Sequence, residues 1–224
     1  IIGKEVFGGT GMNVFNPALL ARAFAFFAYT PQMSGENTWF SSSSIHKFLG
    51  MDVAPVATST GATPLANLAD HGQLSDVATD QVVAPMLQTI SVSDAFFGFI
   101  PGSIGETSTF AILIGAAILL FTGVASWRIM LSVFAGGLAM GYIFQAAGVT
   151  EYDAYLHLLV GGFAFGAVFM ATDPVTSAQT NTGKWIYGLM VGALAVLIRV
   201  VNPAYPEGMM LSILFMNALA PLID

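Results

Sequence analysis

Long stretches without a charged residue constrain the fold of this chain more than any other feature. The first of them, residues 107–126, is long enough for an α-helix to cross about 30 Å of hydrocarbon. A later stretch, 185–202, is interrupted near its end by Arg199. We therefore predict five transmembrane helices, over residues 107–126, 129–150, 154–172, 185–202 and 208–224.

The composition supports an integral membrane protein. Of 224 residues, 55% are hydrophobic and only 8% are charged, whereas soluble domains carry about 25% charged residues. So few charges cannot cover a surface that faces water. The 24 glycines suit closely packed membrane helices. We predict an all-α, multi-spanning helix bundle in contact with lipid, with one long segment outside the hydrocarbon.

The chain divides into three parts by polarity. Residues 1–29 end in an apolar stretch that is short for a membrane span, so it could be part of a span or a half-helix that ends a first helical half. Residues 30–106 hold seven acids and one base, Lys47, and are too polar to cross a membrane. Residues 107–224 carry the predicted spans. Because the last apolar run stops at Asp224, we expect the C-terminus to be incomplete.

Basic residues in the connections predict the topology. Arg128 and Lys184 lie in alternate connections, and cytoplasmic loops are enriched in such residues. This alternation places 30–106 on the outer, periplasmic face. Arg199, just inside the end of its span, disagrees with the pattern.

Several classes of function are disfavoured by what the chain lacks. It contains no cysteine, which excludes an iron–sulfur cluster held by this chain alone. The histidines His46, His71 and His157 have no metal-ligand spacing, so we predict no transition-metal site. Net charge is −7 with six basic residues, which offers no electrostatic footprint for nucleic acid.

The segment Ser59–Leu68 (STGATPLANL) has two interpretations. It could simply start a helix, with Thr63 as the N-cap and Pro64 at the first helical position. A helix start also favours a phosphate, because unpaired N–H groups and partial positive charge collect there. Gly61 and Ala62 would leave room for it, and the Thr63 hydroxyl could form a phosphoester.

The residues Ser59, Thr60, Gly61, Ala62 and Thr63 resemble the flavinylation motif [S/T]-G-A-[S/T], whose last residue receives FMN. The surrounding chain resembles a family that comprises a membrane subunit of sodium-translocating NADH:quinone reductases and its counterpart in RNF complexes. Four stretches carry this resemblance in the same order: Asn13–Phe24 (NVFNPALLARAF), Ser59–Ala66 (STGATPLA), Pro101–Ser108 (PGSIGETS) and Ala171–Ser177 (ATDPVTS).

The resemblance implies a specific activity and set of cofactors. Electrons from NADH would pass through partner subunits, covalent FMN on Thr63 and a noncovalent riboflavin to ubiquinone, coupled to sodium export. Partners would include an NADH-oxidising subunit and a second FMN-bearing subunit, in the bacterial inner membrane. The implied architecture is that of urea and ammonium channels, with two related halves. One departure is that the nearest acid upstream of Thr63 is Asp52, eleven residues before it.

Other residues are further candidates for a site. Asn13 and Asn16 are amides beside apolar surface that could hydrogen-bond a flavin ring. Phe165 and Phe169 are four residues apart, so they share a helix face. They could form an apolar constriction of a pore or an ordinary packing stripe. Sodium needs oxygen ligands, and the acids and hydroxyls near span ends are Glu106, Asp173, Thr176 and Asp224.

Two other functions fit part of the sequence. A passive channel or transporter of the urea or ammonium type explains the apolar spans and the Asn16–Pro17 and Asp173–Pro174 breaks. A structural membrane scaffold explains the spans alone. Neither explains the Ser59–Thr63 motif.

Overall fold

A computed structural model describes most of the chain. The described residues are 1–33, 38–40, 59–61, 65, 92–98, 100, 102–103, 105–150, 152–202 and 207–224. Ala62, Thr63 and Pro64 lie outside the described residues, and so does the helix start predicted there. For Ser59, Thr60 and Gly61 the backbone alone is described.

The first part of the chain is built around a short helix. After a 3-10 turn at Glu5–Phe7, helix α1 spans Pro17–Ala28, and α2 follows at Thr30–Met33. Asn16 caps α1, because its Oδ1 accepts hydrogen bonds from the N–H groups of Ala18 (3.0 Å) and Leu19 (3.3 Å). With 12 residues, α1 is about 18 Å long, shorter than a membrane-crossing helix.

Beyond α2, the described residues of the polar segment form two short strands and a further short helix. Strand β1, Thr38–Phe40, pairs antiparallel with β2, Ser59–Gly61, and Thr38 stands opposite Gly61. Helix α3 spans Val92–Phe97. The predominantly helical fold is confirmed, with this small sheet added outside the long helices.

Two helices follow the polar segment. Helix α4 spans Thr109–Phe121 and is capped by Ser108, whose Oγ accepts from the N–H of Ala111 (3.2 Å). Helix α5 spans Trp127–Ala146. The helix predicted over 107–126 is shorter because the chain leaves α4 at Thr122 and turns at Gly123 with φ of 72°.

Residues 154–172 do not form the single helix that we predicted. Helix α6 spans Leu156–Leu159, α7 spans Phe163–Phe165, and a π-helical turn continues over Gly166–Met170. The break has a backbone cause: Val160 is extended and Gly161 has φ of 70°, a left-handed conformation that only glycine adopts readily.

The last two helices are α8, Asn181–Val201, and α9, Met209–Ile223. Helix α8 begins before the predicted residue 185 because Thr180 caps it, accepting from the N–H of Gly183 (3.0 Å). Lys184 then lies within the first turn. Among the described residues, α5 and α8 are long and apolar enough to cross a membrane, while α1, α4 and α9 are shorter apolar helices.

Helices α5 and α8 run parallel and touch through glycine. A Cβ at Gly188 would overlap Ser132 Oγ, and one at Gly192 would overlap the carbonyl oxygen of Val133. At the starts of the two helices, the rings of Trp127 and Trp185 meet edge to face at 5.8 Å. Small residues thus allow backbone contact, as in other tightly packed membrane helices. The main buried core lies between this pair, α7, α9 and the inner face of α1.

The bundle has two chemically different ends. Arg128 and Lys184 lie at the starts of α5 and α8, and Asp224 reaches the same end, accepting from the N–H of Gln179 and Thr180. Glu207 lies at the opposite end, between α8 and α9. This arrangement agrees with the alternation of loops in the sequence. The assignment of the ends to cytoplasm and periplasm stays a prediction.

We expect Gly192→Ala to destabilise the bundle by roughly 1–3 kcal/mol, because the added methyl group must push α8 away from Val133. The measurement is the thermal midpoint of the detergent-solubilised protein, followed by size-exclusion chromatography. Ile186→Ala on the same helix is the control, since Ile186 is exposed. Equal midpoints for Gly192→Ala and wild type would contradict the packing described above.

Candidate functional site

Two carboxylates converge on the backbone of Gly162, at the break between α6 and α7. A Cβ at Gly162 would lie 2.5 Å from Glu207 Oε1 and 3.1 Å from Glu106 Oε2. The other oxygen of Glu106 accepts from the N–H of Ser103 at 3.1 Å. The absence of a side chain at Gly162 therefore allows both acids to approach the helix break.

Arg22 on α1 forms an ion pair with one of these acids. Its Nη2 lies 2.7 Å from Glu207 Oε2, and the exposed fractions of the two side chains are 39% and 17%. Burial raises the pKa of Glu207, Arg22 lowers it and Glu106 raises it again, so that the net pKa lies above the ordinary glutamate value. The pair joins α1 to the connection before α9, across 185 positions of sequence.

Arg199 on α8 is buried, with 4% of its surface exposed. Its Nη1 donates to the carbonyl oxygen of His157 at 2.7 Å, and its Nη2 donates to that of Val160 at 3.3 Å. These carbonyls close α6, where the helix break removes their helical partners. Arg199 therefore belongs to the interior and not to a loop, which explains why it disagreed with the pattern of basic loops.

Leu65 connects the motif segment to the same place. It is 7% exposed, and a Cβ at Gly161 would lie 2.5 Å from Leu65 Cδ2 and 3.4 Å from Arg199 Nη2. Helix α3 of the polar segment also contacts α6. Two pieces of the polar segment thus pack on the broken helix, and one of them lies two residues after Thr63 in the sequence.

A cavity of about 70 Å³ lies between α1, α7 and α9. The charged side chains of Arg22 and Glu207 line it together with apolar groups. Its other lining residues include Leu19, Gly162, Phe165 and Met210. A space of this size accommodates a few water molecules or a small ion.

Phe165 and Phe169 lie together, as their spacing predicts. Their ring centroids are 5.0 Å apart, with a 48° angle between the ring planes. Phe169 packs on α4, since a Cβ at Gly115 would lie 2.5 Å from its Cζ, whereas Phe165 faces the cavity. The contact between the two rings agrees with their spacing, and a constriction at this pair stays a prediction.

A buried amide holds the start of α1. With its amide oriented to satisfy every neighbour, Asn217 on α9 donates to Tyr187 Oη (2.8 Å) and to the carbonyl of Thr176 (3.3 Å), and it accepts from the N–H of Asn16 (3.1 Å). Four parts of the chain meet at this one side chain. Buried polar groups in a membrane protein need such partners because no water is available there.

The predicted sodium residues at the opposite end are capping groups in the structure. Asp173 accepts from the N–H of Val175 (3.2 Å) and from the hydroxyl of Thr176 (2.9 Å). The Asp224 carboxylate is exposed and accepts from both Gln179 and Thr180.

The sequence-predicted residues therefore fall into separate places. Glu106 lies at the Gly162 end, Asp173 with Thr176 and Asp224 at the other end, and Asn16 at the start of α1. Asn13 donates through Nδ2 to the carbonyl of its neighbour Phe15 (3.2 Å). Sequence reasoning missed Glu207, the ion pair of Arg22, and the Asn217 junction. Their only sequence signal was the presence of polar residues in or beside apolar runs.

Comparison with known proteins matches the whole chain to one family. The model of the NQR2, RnfD, RnfE family matches residues 1–224. A Yersinia pestis relative, named as a subunit of Na(+)-translocating NADH-quinone reductase, is 51% identical over 229 aligned positions, which cover 100% of this chain and 51% of the relative. Proteins of the same name from Chromohalobacter salexigens (100% of this chain, 50% of the relative) and Neisseria meningitidis serogroup B (100% and 51%) are each 50% identical. The chain spans about half the length of these relatives.

We expect Arg22→Gln to lower the stability by roughly 1–3 kcal/mol near neutral pH, because Glu207 stays buried without its ion-pair partner. The loss should shrink as the pH falls through the pKa of Glu207, since a protonated carboxyl needs no cation. A folded-state pKa above the unfolded value means that protonation favours the folded protein, and the substitution raises that pKa further.

The measurement is the thermal midpoint of wild type and Arg22→Gln between about pH 5 and 8. Arg128→Gln is the matched control, because its guanidinium stacks on Trp127 at the other end of the bundle. A pH-independent difference between Arg22→Gln and wild type would contradict the role of Glu207.

Proposed function

The chain belongs to the NQR2, RnfD, RnfE family, and on that premise we propose that it is the membrane subunit of a redox-driven sodium pump with FMN on Thr63. The close relatives are named as subunits of a sodium-translocating NADH-quinone reductase. Partner subunits oxidise NADH, and electrons pass through this FMN and a riboflavin to ubiquinone. The complex resides in the bacterial inner membrane and exports sodium.

The observation that supports the proposal is the contact of Leu65, two residues after Thr63, with the bundle. Ser59–Gly61 pairs with β1, and Leu65 is buried against Gly161, so residues on both sides of Thr63 have defined places. A phosphate-linked group at Thr63 would be tethered near the Gly161 break. The cationic Arg199 beside Leu65 suits an anionic phosphate, because guanidinium groups bind phosphate oxygens well. FMN supplies the electron-transfer chemistry, and the protein supplies position and electrostatics.

The test is flavin fluorescence of the denatured chain in a gel, after expression with the flavin transferase. We expect a fluorescent band in wild type and none in Thr63→Ala, because alanine has no hydroxyl to form the phosphoester. Thr63→Ser should keep the band, since the motif accepts either hydroxyl. Thr60→Ala is the control for the neighbouring threonine and should also keep it. A wild-type chain without covalent flavin would exclude this function.

We also propose a route for sodium through this chain. Asp173, Thr176 and Asp224 offer oxygen ligands at the Lys184 end, and Glu106 offers them at the other end. Phe165 and Phe169 lie between these ends, and Phe165 lines the cavity that Glu207 reaches. Moving sodium against the membrane potential costs about 2.3 kcal/mol per charge per 100 mV, so the route must be gated.

We expect Asp224→Asn in the assembled complex to raise the sodium concentration that half-activates quinone reduction, roughly tenfold, because a carboxylate ligand becomes a neutral amide. The asparagine can still accept from Gln179 and Thr180, so the cap on α8 is kept. Asp153→Asn is the control, an acid of the opposite end that bonds Tyr155 and Gln145. An unchanged sodium dependence in Asp224→Asn would remove Asp224 from the route.

The contact of riboflavin with Asn13 and Asn16, and the urea- and ammonium-channel architecture, stay predictions. A passive channel of that type would need no covalent flavin. The fluorescence test therefore separates the two functions directly.

A further inference from the structure

Two tryptophans and two basic residues meet at the starts of α5 and α8. We propose that this cluster, Trp127, Arg128, Lys184 and Trp185, binds the headgroup of an anionic phospholipid. All four residues lie in the two helices that are long enough to cross a membrane. The proposal therefore does not depend on a flavin at Thr63, and it gives a partner of defined charge to a surface without a role in the proposed pump.

The packing of the two helices brings the cluster together. The rings of Trp127 and Trp185 meet edge to face, with their centroids 5.8 Å apart. One turn after Arg128, the hydroxyl of Ser132 donates to the carbonyl oxygen of Lys184 at 3.3 Å. The two basic residues therefore lie on neighbouring turns of helices that touch.

The guanidinium of Arg128 is positioned by an aromatic ring. Its Cζ lies 5.1 Å from the centroid of the Trp127 ring, which is a cation–π distance. A guanidinium that stacks on a ring keeps its N–H donors in the fork that fits phosphate oxygens. Lys184 adds a compact ammonium charge on a flexible stem. The cluster thus offers one oriented and one adaptable cation to a phosphate group.

The acids at this end of the bundle make their hydrogen bonds elsewhere. Asp173 and Asp224 both accept from the connection that precedes α8. Within the part of the chain that the structure describes, no carboxylate oxygen lies within 4.0 Å of the charged nitrogens of Arg128 or Lys184. Both cations are therefore available to an anion from outside the chain.

The surface that continues from the rings suits an acyl chain. The exposed fractions of Trp127 and Trp185 are 51% and 39%. Leu131 and Leu189 follow them by four residues on the same helix faces, and both leucines are exposed. Tryptophan is enriched where a membrane meets water, because its ring is apolar and its N–H is polar. The order of cation, indole and leucine along this surface matches that of phosphate, glycerol backbone and acyl chain in a phospholipid.

The charge of the cluster selects among phospholipids. Basic residues next to a membrane helix attract lipids with a net negative charge. A zwitterionic headgroup adds an ammonium group, which Arg128 and Lys184 would repel. The headgroup of phosphatidylglycerol carries a phosphate and an uncharged glycerol, so this lipid should bind better than phosphatidylcholine.

The experiment is photolabelling of the purified whole complex in detergent with a phosphatidylglycerol that carries a diazirine in its headgroup. We expect the labelled peptides to contain Trp127 or Trp185, and unlabelled phosphatidylglycerol to displace the probe. Arg128→Gln and Lys184→Gln should each raise the half-saturating probe concentration roughly fivefold, as one basic residue near an anionic lipid implies. Arg128→Lys, which keeps the charge, should raise it less.

Lys4→Gln is the matched control, because it removes the same charge as Lys184→Gln from a residue outside α5 and α8. Its half-saturating concentration should equal that of wild type. Labelling confined to other helices, or none at all, would overturn the proposal. So would displacement by phosphatidylcholine or inorganic phosphate as effective as that by phosphatidylglycerol. If a variant does not assemble, this comparison of competitors in wild type decides the question.

Discussion

The hydrogen bonds from Arg199 to the carbonyls of His157 and Val160 are the interaction on which the Glu207 end of the bundle depends. Helix α6 ends at Leu159, and a helix break inside an apolar bundle leaves carbonyl groups that water cannot reach. A guanidinium presents several N–H donors in one plane and can serve two carbonyls at once. The break at Gly161 and Gly162 is therefore stable because a cation from α8 completes it.

The guanidinium of Arg199 carries a positive charge into the interior, and other parts of the chain compensate that charge. A buried cation needs nearby negative charge, and Glu207 and Glu106 supply it through the space above Gly162. Arg22 then balances Glu207 and holds α1 against the bundle. Arg22, Glu106, Arg199 and Glu207 thus connect α1, the polar segment, α8 and the connection before α9. This convergence of charge explains why Glu106 of the polar segment lies at this end of the bundle.

The sequence predicted the long helices well and the break poorly, for a physical reason. A run without charged residues, such as the part of α5 that follows Arg128, predicts a helix directly, because only an internally hydrogen-bonded backbone is stable in an apolar environment. Gly161 and Gly162 also lie in an apolar run, where glycine usually indicates helix packing, as Gly192 does. Their break depends on φ at Gly161 and on Arg199, which is 38 positions away. The resemblance of the Thr63 motif to a flavinylation motif was recognisable from sequence alone, whereas the place of Leu65 beside Arg199 required the fold.

The charge cluster at the helix break lies beside a space that a small ion could enter. Within this cluster, Arg199 interacts with both Glu207 and Glu106. The same cluster lines the cavity that Phe165 faces, through Arg22 and Glu207. A change of charge on the Gly161 side, where Arg199 lies, would therefore alter the attraction of the two carboxylates for a cation on the Gly162 side. The two glycines thus place the buried cation and the two carboxylates on opposite sides of one broken helix, close enough for Coulomb interaction without a large conformational change.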